Sequence, residues 1–550
     1  MIAQAGFGHR IRSLLPGRQD LIDARRSPGT DLLAGATVAV VALPLALAFG
    51  VASGVGAAAG MTTAIIAGII AAVFGGSNLQ VTGPTGAMTV VLLPIVHQHG
   101  VGGVLTVGLM AGVMLTVVAF ARVGRYVQML PASLLEGFTA GIAVVIALQQ
   151  VPTALGVPAG QHEQVWAAAG EALMRWAAEP HWLEPLVALG TAAVILIAGR
   201  LRPGLPWPLL LVAVVTALAW WLGLPTARIG ELPTGLPAPN HDFLQWDAVA
   251  GLIPSALAVA ALGALESLLS ASVADGMTVG EQHDPDRELF GQGLANIVVP
   301  FFGGVPATAA IARTAVNVRS GARSRTSAVT HSLILLGVVL VAGTVVAAIP
   351  LAVLAGVLLA TCVNMVSLGS IRSVVRATRG DALVFFATFA TTVIVDVITA
   401  VIVGFALASL VTLKAVSDAT QAKQEPLDPA DHSEAERDLL RQAIVPYRLE
   451  GALFFGVAQR FLIDLTEVSE VRVVILRMGH LSTVDATGAQ AIGTAVRQLH
   501  DRDVVVLLSA VRPEHEQVLR SVDELDALWA DGEVFATTPE AITRAKALVA

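Results

Sequence analysis

The chain has 550 residues, of which 55% are hydrophobic and only 13% charged, with a mean hydropathy of +0.74 and a formal net charge of -8. A soluble globular protein carries about 25% charged residues. A chain this poor in charge cannot cover a watery surface, so most of it must face lipid, and nothing in its acidic balance suits nucleic acid.

Residues 1–30 hold Arg10, Arg12, Arg18, Arg25 and Arg26 but no apolar core of signal-peptide type, and read as a cytoplasmic N-terminal segment. A transmembrane domain over residues 31–418 follows. About fourteen apolar segments begin near residues 31, 56, 84, 101, 133, 183, 207, 247, 288, 307, 327, 350, 382 and 398. Many approach the roughly 20 residues that cross a bilayer. With the N-terminus inside, the loops assigned to the cytoplasm hold Arg122, Arg125, Arg200, Arg202, Arg319, Arg323, Arg325, Arg372, Arg376 and Arg379. The two long loops assigned outside, 152–182 and 225–246, hold only Arg175 and Arg228. That asymmetry obeys the positive-inside rule and puts the C-terminal tail in the cytoplasm.

The two halves of this domain echo each other. Asp31-Leu-Leu-Ala-Gly35 opens the first segment, and Asp247-Ala-Val-Ala-Gly251 opens the eighth. After each comes a break rich in small residues, Val81-Thr-Gly-Pro-Thr-Gly-Ala87 and Gly303-Gly-Val-Pro-Ala-Thr-Ala-Ala310. Seven segments per half make the second copy run oppositely, the inverted repeat of many secondary transporters. Irregular backbone at membrane depth is tolerated only where protein or a water-filled cavity receives its polar groups. Pro84 and Pro306 are placed in the first turns of the following helices, where a missing N–H costs least. Two helix starts with free N–H groups form a site for a small anion.

Glu266 lies deep in the eighth segment, with Ser270 one helical turn on. An ionisable group inside a span is a functional candidate. This carboxylate could bind sodium together with the Ser270 hydroxyl, carry a proton, or make a structural hydrogen bond. Arg313, seven residues past Pro306, adds charge to the anion site or pairs with Glu266. Asp396 reads as structural, and Cys362, the single cysteine, as a buried apolar residue.

After residue 418 the composition turns polar. Residues 419–443 read as a linker, with a short helix in Gln421 to Arg441, and residues 444–550 as a soluble α/β domain with strands at Ala452–Gly456, Val471–Leu476 and Val504–Ser509. No nucleotide-binding glycine loop or catalytic cluster occurs there, so the chain is not expected to be an enzyme.

Taken together, the chain resembles the SulP (sulfate permease) family of anion transporters. The resemblance rests on Asp31–Pro44, Gly83-Pro-Thr-Gly86, Arg287-Glu-Leu-Phe-Gly-Gln-Gly-Leu-Ala-Asn296, Phe302-Gly-Gly304, Arg313-Thr-Ala-Val-Asn317 and Ile349-Pro-Leu-Ala-Val-Leu-Ala-Gly356. The tail, with Asp485-Ala-Thr-Gly488, is similar to the STAS domain that ends such proteins. The resemblance implies an α-helical polytopic membrane protein of fourteen spans in a 7+7 inverted repeat, divided into core and gate, in the plasma membrane and as a homodimer. It implies an elevator motion with the anion held by Thr85, Gly86 and Ala87 from the third span. Ala309, Ala310 and Ile311 contribute from the tenth, with Arg313 behind them.

Leu45-Ala-Leu-Ala-Phe-Gly50, Val81–Val90 and Met277–Asn317 look most like sodium-dependent bicarbonate transporters of cyanobacterial type. There the positions of Glu266 and Ser270 belong to the sodium site, although Glu266 stands where Asp is usual and Ile311 where Thr is. Leu45 stands where some proton-coupled relatives have Glu. Thr487 matches the loop hydroxyl that is phosphorylated in related regulatory proteins; the simpler reading is that Asp485 and Thr487 cap a helix. The expected function is secondary active transport of small inorganic anions, with bicarbonate favoured and sodium as the symported ion. The alternatives are transport of sulfate, another oxyanion or a dicarboxylate by proton coupling or exchange, an anion channel, or a membrane-anchored signalling protein.

Overall fold

The computed structural model describes every residue except 1–12, 128–130, 159–161, 163, 203–204, 231–234, 279–281, 420, 425–442, 454–470 and 550. It contains two compact units, Met1–Ala406 and Leu407–Ala550.

The first unit is helical. A short amphipathic helix α1 (Arg18–Arg26) precedes α2 (Pro28–Ala52), which starts with proline at its first position, where no intrahelical N–H is missed. Then come α3 (Ala57–Phe74), a two-residue strand β1 (Thr82–Gly83) and α4 (Gly86–Phe120). Gly100, with φ of 66°, breaks α4 and separates the expected third and fourth segments. After a single helical turn at Gly124–Val127 come α5 (Ala132–Leu155), α6 (Val165–Ala178), α7 (Leu183–Leu201) and α8 (Trp207–Trp221). The second half comprises α9 (Val249–Met277), α10 (Pro285–Val298), β2 (Thr308–Ala309), α11 (Ile311–Arg319), α12 (Thr326–Ala347), α13 (Leu351–Met365), α14 (Leu368–Ala377), α15 (Arg379–Ile394) and α16 (Val397–Ala419).

Among the described residues nine helices are long and apolar enough to cross a membrane. Splitting α4 at Gly100 and adding the shorter α8, α10, α11 and α15 yields the fourteen segments expected. Helix α6, in the long 152–182 loop, was not foreseen. Large apolar residues such as Val341, 87% exposed, and Trp221, 76% exposed, face outward, as lipid contact requires.

Packing sorts these helices into two groups. Helices α2, α3, α4, α9, α10, α11 and α12 pack mainly on one another, and so do α5, α7, α8, α13 and α15. The first group is the core and the second the gate.

The proline expectation needs correction. Neither proline lies in the first turn of a helix: Pro84 precedes the Thr85 N-cap of α4, and Pro306 stands five residues before α11. The residue before a proline is pushed out of the helical region into extended backbone. Pro84 thus holds Gly83 extended, and the two breaks form an antiparallel ribbon with Thr82 opposite Ala309 and Gly83 opposite Thr308.

The second unit is a sheet in the order β3 (Gln421–Gln424), β4 (Ile444–Leu453), β5 (Val473–Arg477), β7 (Val505–Ser509), β8 (Val534–Phe535), with β6 (Leu481–Val484) also pairing β4. Only β3–β4 is antiparallel. Helices α17 (Ala486–His500), α18 (Pro513–Leu519), α19 (Asp523–Ala530) and α20 (Thr538–Val549) complete it. Val474, Leu476 and Leu508 face a core with Ile492 and Leu499 of α17, while Val473, Ile475 and Leu507 face Ala541 and Ala545 of α20. Burial on both faces explains the near-continuous apolar strands. Residues 421–424 of the expected linker are thus a strand, and 425–441 lie outside the described residues. Of the expected strand Ala452–Gly456, residues 454–456 likewise lie outside them.

Candidate functional site

The ribbon aims two helix starts at one region. Thr85 is the N-cap of α4 and Ala310 that of α11, and the first i→i−4 bonds are Thr89 N–H to Thr85 O (3.2 Å) and Thr314 N–H to Ala310 O (2.9 Å). The N–H groups of Gly86, Ala87 and Met88, and of Ile311, Ala312 and Arg313, thus have no intrahelical acceptor. The Thr85 hydroxyl does not cap its own helix. It donates to Glu266 Oε2 at 2.8 Å, joining α4 to α9.

Arg313 occupies the first turn of α11 and is 1% exposed. Its Nη2 donates to Pro84 O at 2.9 Å, while Nη1 has no hydrogen-bond partner among the described residues. A Cβ at Gly83 would lie 2.5 Å from that Nη1, so a side chain there would push the guanidinium aside. Gly86 is walled in as tightly: a Cβ there would meet Ile146 Cδ1 at 2.5 Å and Phe49 Cε1 at 3.2 Å. A cation in the first turn opposes the helix dipole rather than balancing it. Among the described residues Arg313 forms no ion pair, including with Glu266, although the two charges act on each other. Arg313 thus brings a positive charge to the two helix starts, with the Glu266 carboxylate on the neighbouring Thr85.

Of the expected anion-binding residues, Thr85, Gly86, Ala87, Ala309 and Arg313 are buried, Ala310 is half-buried and Ile311 is 43% exposed. Glu266 is half-buried. Ser270, grouped with Glu266 for cation coupling, gives its proton to Thr314 Oγ1 at 2.8 Å. Its partner is therefore on α11, whereas that of Glu266 is at the start of α4.

Several residues that support the ribbon were not singled out from the sequence. Asn296 of α10 grips Ala307 twice, accepting from its N–H at 2.8 Å and donating to its carbonyl at 2.9 Å. Gln292 donates to Thr82 Oγ1 at 2.7 Å. Ser267 joins Thr308 at 2.9 Å and accepts from Ala309 N–H at 3.3 Å, and Thr314 accepts from Val81 N–H at 3.1 Å. Gln292, Asn296 and Thr314 lie in the Arg287–Asn296 and Arg313–Asn317 motifs, but nothing in the sequence linked those motifs to the breaks, and Ser267 lies in neither.

Residues 29–388 match the sulfate permease family, and residues 440–541 match the STAS domain. The chain belongs to the sulfate permease family. Among curated relatives, the Bacillus subtilis protein YvdB, provisionally named a sulfate transporter, is 34% identical over 89% of this chain and 92% of its own length. The bicarbonate transporter BicA of Synechocystis is 31% identical over 90% of this chain and 91% of its own. The solved transmembrane domain of a cyanobacterial BicA covers 68% of this chain and 98% of itself, at 33% identity and a TM-score of 0.64. Murine Slc26a9 covers 99% of this chain and 96% of itself with a TM-score of 0.86 at 17% identity, which establishes likeness of fold alone.

In this sulfate permease-family chain Asp31, the first residue of the opening motif, accepts from the N–H groups of Arg323 (2.7 Å) and Ser324 (3.1 Å) and from the Ser324 hydroxyl (2.7 Å). It thereby ties the first helix of one repeat to the loop after α11 of the other. Asp20 of α1 pairs with Arg287 at 2.8 Å and Arg325 at 3.1 Å. Burial pushes the Asp20 carboxyl up, but the hydrogen bonds from Arg287 and the Gly17 N–H and the nearby arginine charges outweigh it and hold the group below the ordinary carboxylate range. In the STAS unit Asp485 caps α17 by accepting from Gly488 N–H at 2.7 Å. Thr487 takes no part in that cap and is exposed, which corrects the shared-capping reading.

Proposed function

We propose that the chain is a secondary active carrier of a small inorganic anion, with bicarbonate the favoured cargo and sodium the coupling ion. The observation that carries this reading is Arg313, buried without an ion pair among the described residues, in the first turn of a helix whose leading N–H groups have no intrahelical acceptor, opposite a second such helix start. The anion lies against Thr85, Gly86, Ala87, Ala309, Ala310 and Ile311. Each helix start contributes about 0.3–2 kcal/mol, so binding is weak enough for release. Glu266 supplies the charge that attracts sodium, with hydroxyl oxygen from Thr85 and Ser270. The core group of helices travels against the gate group as an elevator. The protein is a plasma-membrane homodimer with its N-terminus and STAS unit in the cytoplasm, where Thr487 is open to phosphorylation. Relatives named as bicarbonate transporters support the choice of cargo, and the relative provisionally named for sulfate supports sulfate as the second reading.

Uptake into proteoliposomes distinguishes these readings. Labelled bicarbonate should enter faster under an inward sodium gradient than without one, and labelled sulfate more slowly. Sulfate uptake indifferent to sodium would overturn both cargo and coupling. Currents at channel-like rates would overturn the carrier.

A further inference from the structure

We infer that His331 positions Arg313, holding the guanidinium through one buried water shared with Asn317. The inference rests on the reading of Arg313 as the anion's charge. Arg313 and Asn317 are four residues apart on α11, and Ser327 and His331 four apart on α12, so each pair lies on one helix face. Asn317 Nδ2 donates to Ser327 Oγ at 2.9 Å and to Leu79 O at 2.7 Å, which joins the two faces near the connecting loop. One turn further from that loop on each helix stand Arg313 and His331.

All four side chains are buried, at 0–1% exposure. Three of their polar atoms have no hydrogen-bond partner among the described residues: Arg313 Nη1, Asn317 Oδ1 and His331 Nε2. Buried polar atoms are rarely left unpaired, and a water needs two to four such partners to be held inside a protein. The Nδ1 side of the His331 ring is occupied by the Ala328 backbone and by Ser332 Oγ at 3.4 Å. Its Nε2 has no partner among the described residues, and Arg313 is the charge that acts on the ring. A neutral nitrogen accepts from the water without cancelling the arginine's charge. A carboxylate in the same place would cancel it and leave the anion little to bind.

The test uses the full-length protein in proteoliposomes and the half-saturation constant for labelled bicarbonate, or for labelled sulfate where that is the anion taken up. His331→Leu should raise that constant about tenfold, the scale of one hydrogen bond to a charged group, with maximal rate nearly unchanged. His331→Gln, whose amide reaches the place of Nε2, should restore most of the affinity. His331→Glu should weaken binding further than His331→Leu. In an Arg313→Gln background, His331→Leu should add nothing. A His331→Leu effect that persists in that background, or that falls on maximal rate and thermal stability alone, would overturn the inference. Where His331→Leu does not fold, equal affinities for His331→Gln and His331→Glu would overturn it. If Arg313→Gln itself leaves affinity intact, the anion role of Arg313 fails first, and that outcome is distinct from the failure of His331 alone.

Discussion

Glu266 and Arg313 belong to one small volume yet take different partners, the Thr85 hydroxyl for one and the Pro84 carbonyl for the other. Each is therefore oriented by the helix start it serves, and each can be tested alone. Glu266→Gln keeps an oxygen for Thr85 but removes the charge, so the fold should survive while sodium no longer stimulates uptake. Sodium stimulation equal to wild type in that variant would remove Glu266 from coupling. Gly83→Ala places a methyl 2.5 Å from Arg313 Nη1. Overpacking of this kind costs about 1–3 kcal/mol, and here the guanidinium must move. The half-saturation constant should rise about tenfold or more at similar maximal rate, since 1.4 kcal/mol corresponds to a factor of ten. Both acid and base were visible in the sequence as rare charges among apolar residues. Their partners were not, because Thr85 and Pro84 lie about 180 and 230 residues away in the chain.

At the scale of elements, the ribbon and α10 form one construction. Both breaks were legible as runs of small residues around Pro84 and Pro306, but the work assigned to the prolines was not. Pro84 keeps Gly83 extended, and both helices start after the prolines, at Gly86 and Ile311. Aligning the two breaks on their prolines misaligns the helix starts, since Pro84 is two residues before its helix and Pro306 five. Asn296 could not be read as a clamp from its place in a motif, because what it holds is backbone at Ala307. Asn296→Ala leaves that buried N–H and carbonyl unpaired, which should cost about 2–4 kcal/mol. A lowered unfolding temperature in detergent, with uptake lost at lower temperature than wild type, is the expected result. An unchanged unfolding temperature would show that the ribbon holds without the clamp.

At the scale of the molecule, the order of fourteen apolar segments was readable from hydropathy alone, and the echo of Asp31–Gly35 in Asp247–Gly251 divided them correctly into halves. What hydropathy could not supply was the grouping of helices, which follows from contacts between segments far apart, such as α4 with α10 and α5 with α15. The segment that begins near residue 307 comprises the ribbon strand and the short α11, whose nine residues are too few to span a bilayer alone. The first unit has an extensive core of its own drawn from α2 to α16. A chain ending at Ala419 should therefore still take up anion in proteoliposomes, and what it loses should be regulation of rate. Loss of all uptake from a folded, truncated protein would assign the STAS unit to transport itself.

The two-residue ribbon has one more consequence for the carrier proposed here. It splints the two half-helices, because Thr82–Gly83 and Thr308–Ala309 bond directly and Ala310 N–H adds a bond to Val81 O at 3.0 Å. A pocket splinted in this way keeps the same shape whichever side of the membrane it faces. The intrinsic affinity for cargo is then equal in both directions, and any difference between inward and outward half-saturation measures how long the moving body dwells on each side.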